Sequence, residues 1–351
     1  MKKRFVLEAF FFCITLTLYS QTAADFKIEG GVLVSYLNNY TMTHVNIPAN
    51  LGITEIQSGA FSNDFYWGIN DIVTSITIPA SVTIIRDGAF NGCRNLTTIT
   101  VNGQNTMFSS ENGVLFNKNK TVLYHYPAGK QEKTYTIPTS VTIIKSYAFE
   151  NCKLSNITIP ASVTSIGDMA FFNSDLTRIT IPTGVISIGD MAFEASSLSE
   201  VTIPASVTSI GSRAFFFCQN LTSITVNGQN REYSSEDGVL FNKNKTLLIQ
   251  FPGGKQGNYT IPASISSIEI GAFYRCYKIT GVTIPASVTS IGKGTFFMCS
   301  SLNNITIPAS VSLIGYGAFF GCDLSPVIRE NIIRRFGEAP FIHTGFHIRD
   351  Q

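Results

Sequence analysis

An isoleucine–proline pair recurs nine times along this chain. It stands at Ile47-Pro48, Ile78-Pro79, Ile137-Pro138, Ile159-Pro160, Ile181-Pro182, Ile203-Pro204, Ile261-Pro262, Ile284-Pro285 and Ile307-Pro308. Eleven residues after each of the last eight prolines comes a phenylalanine: Phe90, Phe149, Phe171, Phe193, Phe215, Phe273, Phe296 and Phe319. The first unit reaches Phe61 after 13 residues, because Asn50-Leu51-Gly52 lengthens its turn. Adjacent prolines lie 22 residues apart from Pro138 to Pro204 and 23 apart from Pro262 to Pro308. A register kept this strictly marks a stacked repeat, and it limits the fold before any other feature is read.

The unit from Leu198 to Phe215 shows the physics. Its opening run, Leu198-Ser199-Glu200-Val201-Thr202-Ile203, ends in the apolar–polar–apolar alternation of a half-buried strand. Pro204 has no N–H to donate to a ladder and ends the strand. Pro204-Ala205-Ser206 turns the chain, Val207 and Ile210 return inward, and Ala214-Phe215 plugs the far side. So short a unit cannot bury its apolar face alone, whereas parallel strands stacked about 4.8 Å apart build one continuous core. The expected fold is a β-rich solenoid of stacked parallel strands with short turns on its convex side.

Two longer gaps interrupt the register. They carry nearly the same sequence 125 residues apart: Val101-Asn102-Gly103-Gln104-Asn105 with Gly113–Thr121, and Val226-Asn227-Gly228-Gln229-Asn230 with Gly238–Thr246. Each reads as two short strands joined by an Asn-Lys-Asn-Lys turn, a β-hairpin insert. Tyr124–Pro127 and Ile249–Pro252 are the expected return strands, and Gly31-Val32-Leu33 reads as a degenerate third copy. Beyond Cys322 the repeat stops. Ser325-Pro326 opens an expected helix to Phe336, closed by Gly337, with Val327, Ile328, Ile332 and Phe336 near one face as a terminal cap.

Only 14% of the residues are charged, against 44% hydrophobic, which argues against disorder. No basic patch is present to neutralise phosphates, so nucleic acid is excluded as a partner. Lys2-Lys3-Arg4, an apolar stretch from Ala9 to Tyr19 and the small residues of Ser20–Ala24 read as a secretory signal. The expected organisation is a signal peptide over 1–24 and a solenoid over 25–322, with inserts at about 102–136 and 227–260. A cap and tail follow over 323–351. Without residues 1–24 the chain carries 22 basic and 22 acidic residues (25 − 3 and 23 − 1), and no membrane span is expected in it.

The repeated form Ile-Pro-x-x-Val-x-x-Ile-Gly-x-x-Ala-Phe-x-x-Cys-x-x-Leu-x-x-Ile-x-Ile resembles the BspA-like leucine-rich-repeat family over about residues 26 to 322. The Asp-Gly-Val-Leu-Phe-Asn segment and the following Phe-Pro-Gly-Gly-Lys, within 237–255, are similar to that family's hairpin insert. The resemblance implies an exported or cell-surface protein. It also implies an adhesin toward matrix proteins or other cells, with no catalytic residue and no cofactor to carry over. Arg86, Lys145 and Glu269 depart from the pattern by replacing the Gly after Ile.

Within this frame few residues are free to carry function. Cys93, Cys152, Cys218, Cys276, Cys299 and Cys322 each follow the repeat phenylalanine by three and read as buried thiols. No close Cys or His spacing offers a metal site. His343 and His347 are four apart but enclose Gly345, and an acid–base cluster for an enzyme cannot be assembled. Alternation sends Thr77, Thr100, Thr158, Thr180, Thr202, Thr225, Thr283 and Thr306 to the outer face of the sheet, with Thr136 and Thr260 in the return strands. Two residues earlier the row varies, through Arg178, Glu200, Ser223 and Asn304 among others. A β-branched polar residue suits any exposed pleat, yet a regular repeat surface is also what solenoids use to bind. These residues form the candidate site, for a protein or glycan on host or neighbouring cells; the alternative is a structural spacer in a surface layer, without a specific ligand. A glycan would draw on the insert tyrosines Tyr124, Tyr126 and Tyr135, or on Tyr274 and Tyr277.

Overall fold

The structure is a computed structural model that describes residues 21–37, 42–62 and 69–343. Residues 1–20, which hold most of the expected signal, and His347 in the tail lie outside the described residues. The chain winds into a β-solenoid of about 12 turns. Each coil has a strand on one side, a short two-residue strand on a second side and a phenylalanine turn on the third.

The strand-to-turn step has a simple cause. In each Pro-x-x-Val corner the valine N–H donates to the proline carbonyl, as in Val163 to Pro160 (3.1 Å) and Val288 to Pro285 (3.1 Å). Val82, Val141, Val163, Val185, Val207 and Val288 are wholly buried behind it. The glycine after the next isoleucine is set by the neighbouring coil. A Cβ on Gly167, Gly189 or Gly211 would stand 2.4–2.5 Å from a backbone nitrogen of the coil before it. The coils holding Lys145 and Glu269 follow an insert rather than a regular coil, through Val122–His125 and Leu247–Gln250, and there a full side chain fits.

On the threonine side the strands His44–Asn46, Ser75–Ile78 and Thr98–Val101 are parallel and in register. So are Thr134–Thr136 with Asn156–Thr158, Glu200–Ile203 with Ser223–Val226, and the set Gly257–Thr260, Ile279–Thr283 and Asn304–Thr306. Thr136 and Thr260 therefore belong to this face and not to the returns of the inserts. The coil of Thr180 departs from expectation, since residues 178–181 form no strand. The three coils around it are one residue short between the Cys/Ser position and the leucine (Cys152-Lys153-Leu154, Ser174-Asp175-Leu176, Ser196-Ser197-Leu198). These coils stay tied on their other two sides, through the short strands Ile143–Ile144, Ser165–Ile166, Ser187–Ile188 and Ser209–Ile210 and through Phe149, Phe171 and Phe193, which each donate to the next coil's alanine carbonyl at 2.7–2.8 Å. To keep those bonds Met169, Asn173, Met191 and Ala195 accept left-handed φ of 51–58°, a conformation that disfavours side chains.

Each insert has three strands, not two. Phe108–Glu111, Val114–Asn117 and Val122–His125 form an antiparallel meander, repeated at Tyr233–Glu236, Val239–Asn242 and Leu247–Gln250. The first strand is turned by Asn112-Gly113 and by Asp237-Gly238, all four with positive φ. Asn-Gly and Asp-Gly are the sequence signal for that turn. At the N-terminus Val32–Tyr36 pairs in parallel with Glu55–Ile56, as Val122–His125 pairs with Ile143–Ile144. The degenerate copy thus fills the place of an insert's last strand, although Gly31-Val32-Leu33 matches the middle one in sequence.

Repeat aromatics stack along the solenoid axis in three columns. The middle column, Tyr126, Phe149, Phe171, Phe193 and Phe215, has ring centroids 5.0–5.4 Å apart. Three core clusters follow the same division, with the inserts between them. The helix Pro326–Phe336 closes the last coil with Ile332 buried and Ile328, Ile333 and Phe336 packed beside it. Val327, expected on that face, is 69% exposed. Arg335 donates to the carbonyls of Ile307, Pro308 and Val311, which no further coil would satisfy.

Candidate binding face

Register pairing sets the threonines in rows. Thr77 lies beside Thr100, Thr136 beside Thr158, Thr202 beside Thr225, and Thr260, Thr283 and Thr306 follow one another. Thr100, Thr158, Thr180, Thr202, Thr225, Thr283, Thr306, Arg178, Glu200 and Asn304 are exposed, as expected. Thr77 and Ser223 are half-buried. Ser223 is covered because the Asp237-Gly238 turn supplies the next rung: Ile224 N–H donates to the Gly238 carbonyl, and a Cβ on Gly238 would fall 2.9 Å from the Ser223 hydroxyl.

A second hydroxyl row, three residues before the first, escaped the sequence reading. Thr97 Oγ1 donates to the Thr74 carbonyl, Ser155 to Lys133, Thr177 to Ser155, Ser199 to Thr177 and Thr222 to Ser199, at 3.0–3.2 Å. The recurrence of Ser or Thr at that offset was its signal. These hydroxyls are committed to holding neighbouring coils together. The outward threonines differ: among the described residues Thr100, Thr158, Thr180, Thr202, Thr225, Thr283 and Thr306 spend no side-chain hydrogen bond within the chain. Arg178 and Glu200 occupy neighbouring coils at the interrupted rung, and among the described residues no ion pair joins them.

The six cysteines are free thiols, five buried and Cys322 half-buried. Their position serves the preceding coil, where Cys218 Sγ meets the Phe193 carbonyl at 3.0 Å, Cys299 that of Phe273 at 2.9 Å and Cys322 that of Phe296 at 3.0 Å. Burial pushes the Cys152 and Cys218 thiols up to about 12. Such thiols hold their protons at neutral pH and make poor nucleophiles.

A cleft of about 370 Å³ opens where the fifth regular coil meets the second insert. Arg213, Tyr233, Gln250 and Glu269 bring polar groups to it, over Leu247 and Ile249. Tyr233 Oη accepts from the Ile210 N–H at 2.8 Å, which leaves its own proton free to donate. Of the tyrosines considered at the sequence level, Tyr126 is buried and Tyr274 stacks between Phe216 and Phe297, so both serve packing. Among the described residues no group of three or more His, Cys, Asp or Glu could hold a metal ion, and no helix is long and apolar enough to cross a membrane.

The family model of the BspA type leucine rich repeat region matches residues 64–121, 126–246 and 251–345 in six copies. The chain belongs to this family. Among solved structures, the BspA-type chain is 28% identical to a leucine rich cell surface protein from Faecalibacterium prausnitzii, with a TM-score of 0.59. That match covers 87% of this chain and 81% of the other. The pneumococcal vaccine antigen PcpA is 25% identical, with a TM-score of 0.53 and coverage of 85% and 71%. A leucine-rich repeat protein from Eubacterium ventriosum is 31% identical with a TM-score of 0.48; the match covers 80% of this chain but only 65% of that protein. No curated protein matches. The family is one of leucine-rich repeat proteins, and one of these neighbours is a cell surface protein, which is consistent with a binding role.

Proposed function

We propose that this BspA-type protein is exported and acts at the cell surface as an adhesin. Its threonine rows engage a protein on host or neighbouring cells. The observation that carries this reading is the division of labour between the two hydroxyl rows. One is spent inside the solenoid, while the other is unspent, exposed at all but Thr77, and in register on either side of the Thr180 coil. A ladder of unspent hydroxyls at the rung spacing of a sheet suits a partner that presents its own regular row of donors and acceptors. The balance of 22 basic and 22 acidic residues beyond residue 24 makes shape and hydroxyl contact, rather than long-range steering, the means of recognition.

The test replaces hydroxyls by methyls of the same shape. Against immobilised host matrix proteins, the triple variant Thr158→Val, Thr202→Val, Thr225→Val weakens saturable binding roughly 10- to 2,000-fold, at about 0.5–1.5 kcal/mol for each of the three lost hydrogen bonds. Binding left unchanged would move the site off this face. A second reading, a neutral sugar, is favoured by the cleft at the second insert. There Arg213 and Glu269 offset each other in charge and stand over an aliphatic floor. On a glycan array, Arg213→Ala with Tyr233→Phe abolishes any sugar signal that this cleft supports and leaves matrix-protein binding intact.

A further inference from the structure

We infer that export cleavage falls at the Ser20–Gln21 bond, and that Gln21–Asp25 stays on the mature protein as the cap of the first coil. This inference rests on the reading that the chain is exported.

Strand His44–Asn46 is the first rung of the threonine side, so one edge of its backbone has no strand beyond it. Open edges of this kind template association with other chains and are covered in stable proteins. Gln21 covers this one. Its Oε1 accepts the Asn46 N–H at 2.5 Å, and its Nε2 donates to the His44 carbonyl at 2.8 Å and to Tyr36 Oη at 3.2 Å. A single amide thus replaces the missing rung at both a donor and an acceptor. The next residues fix it in place. Thr22 N–H donates to Asp25 Oδ2 at 2.7 Å, Asp25 N–H returns to the Thr22 carbonyl, and Leu37 N–H donates to the Asp25 carbonyl.

Each bond of the segment can be tested against this geometry. Hydrolysis after Gln21 removes the capping amide. After Thr22 or Ala23 it removes half of the Thr22–Asp25 loop as well, and after Ala24 it removes everything but Asp25. Hydrolysis at Ser20–Gln21 breaks none of these contacts. Water gives its hydroxyl to the Ser20 carbonyl carbon and a proton to the Gln21 nitrogen, which among the described residues makes no hydrogen bond of its own. Ser20 supplies the small residue directly before the cut, and Leu18 stands where an Ala-x-Ala-like site has its second small residue. The apparent small-residue site at Thr22-Ala23-Ala24 is, on this view, part of the folded body.

The full-length gene is expressed in an exporting bacterium and the intact mass of the released protein is measured. A mass matching residues 21–351 is expected. A mass matching 25–351 overturns the cap assignment while leaving export standing, and an uncleaved chain overturns both. Amide exchange on purified 21–351 and 25–351 gives an independent reading: the Asn46 amide is protected in the first and exchanges at least tenfold faster in the second. Equal exchange would remove the cap role wherever the cut falls.

Discussion

The two inserts share most of their sequence and all of their hydrogen-bonded frame, yet they join the solenoid differently. Asn105 and Asn230 do the same work. Each amide donates to two carbonyls of the preceding Pro-x-x-Val corner, Pro79 and Val82 or Pro204 and Val207, and accepts two backbone N–H groups of its own insert. Beyond this shared anchor they diverge. At the first insert Tyr124 meets Phe108 edge-on at 5.2 Å, and Lys145 reaches Asp87 at 2.9 Å across the junction. The depression there touches neither Phe90 nor His125. At the second, Ile249 and Tyr233 replace that aromatic pair, Glu269 takes the place of Lys145, and the cleft reaches Phe215 and Gln250. A duplicated frame held by one buried asparagine leaves the residues at its junction free to vary. One copy has become a joint bridged by an aromatic pair and an ion pair, and the other a cleft that reaches the axial phenylalanine.

The largest effect tests what the copies share. Asn105→Ala and Asn230→Ala each strand two buried carbonyls and two N–H groups, and each destabilises by about 3 kcal/mol or more, read as a lowered denaturant midpoint. A loss at one position only would end the claim of a common anchor.

The next effect separates the copies by pH. His125 is buried against Phe90, with ring centroids 5.2 Å apart, and burial lowers its pKa from 6.5 to about 4. The folded chain therefore holds it neutral. The stability this preserves is complete above pH 6.5 and is lost as the pH falls from 6.5 through 4, by up to about 3 kcal/mol. His125→Gln, which installs the second copy's residue, flattens that fall in urea titrations at pH 7 and pH 4. A variant with the same acid sensitivity as the parent would place the titrating group elsewhere. The smallest effect is at the surface. Lys145→Ala removes a partly exposed ion pair and changes stability by under about 1 kcal/mol, less still in high salt.

Much of this was legible beforehand because the repeat writes each position many times. The Ile-Pro register gave the coils, the corners and the axial aromatics, and alternation gave the outward threonines. The unreadable parts occur once or twice. No local residue in Leu176–Ile181 forbids a strand; the missing rung comes from turns one residue short in three successive coils, a property of the stack. Ser223 alternates outward like its neighbours, and only the tertiary placement of Gly238 covers it. The third insert strand was readable in Asn112-Gly113 and Asp237-Gly238, whose turn chemistry was overlooked beside the longer Asn-Lys-Asn-Lys loop.

The columns of repeat phenylalanines end and begin at the inserts, where His125 and Gln250 are buried, while the outer pair Phe216–Tyr274 stacks across the second insert. Val101 and Val226 open the two copies 125 residues apart (226 − 101), and each copy begins a fresh column. Recombination between them would delete or add one whole module without breaking a column of repeat phenylalanines, and a deletion would cost only the Phe216–Tyr274 stack. Such a gene can change the length of its product in fixed steps, extending or shortening the same row of hydroxyls.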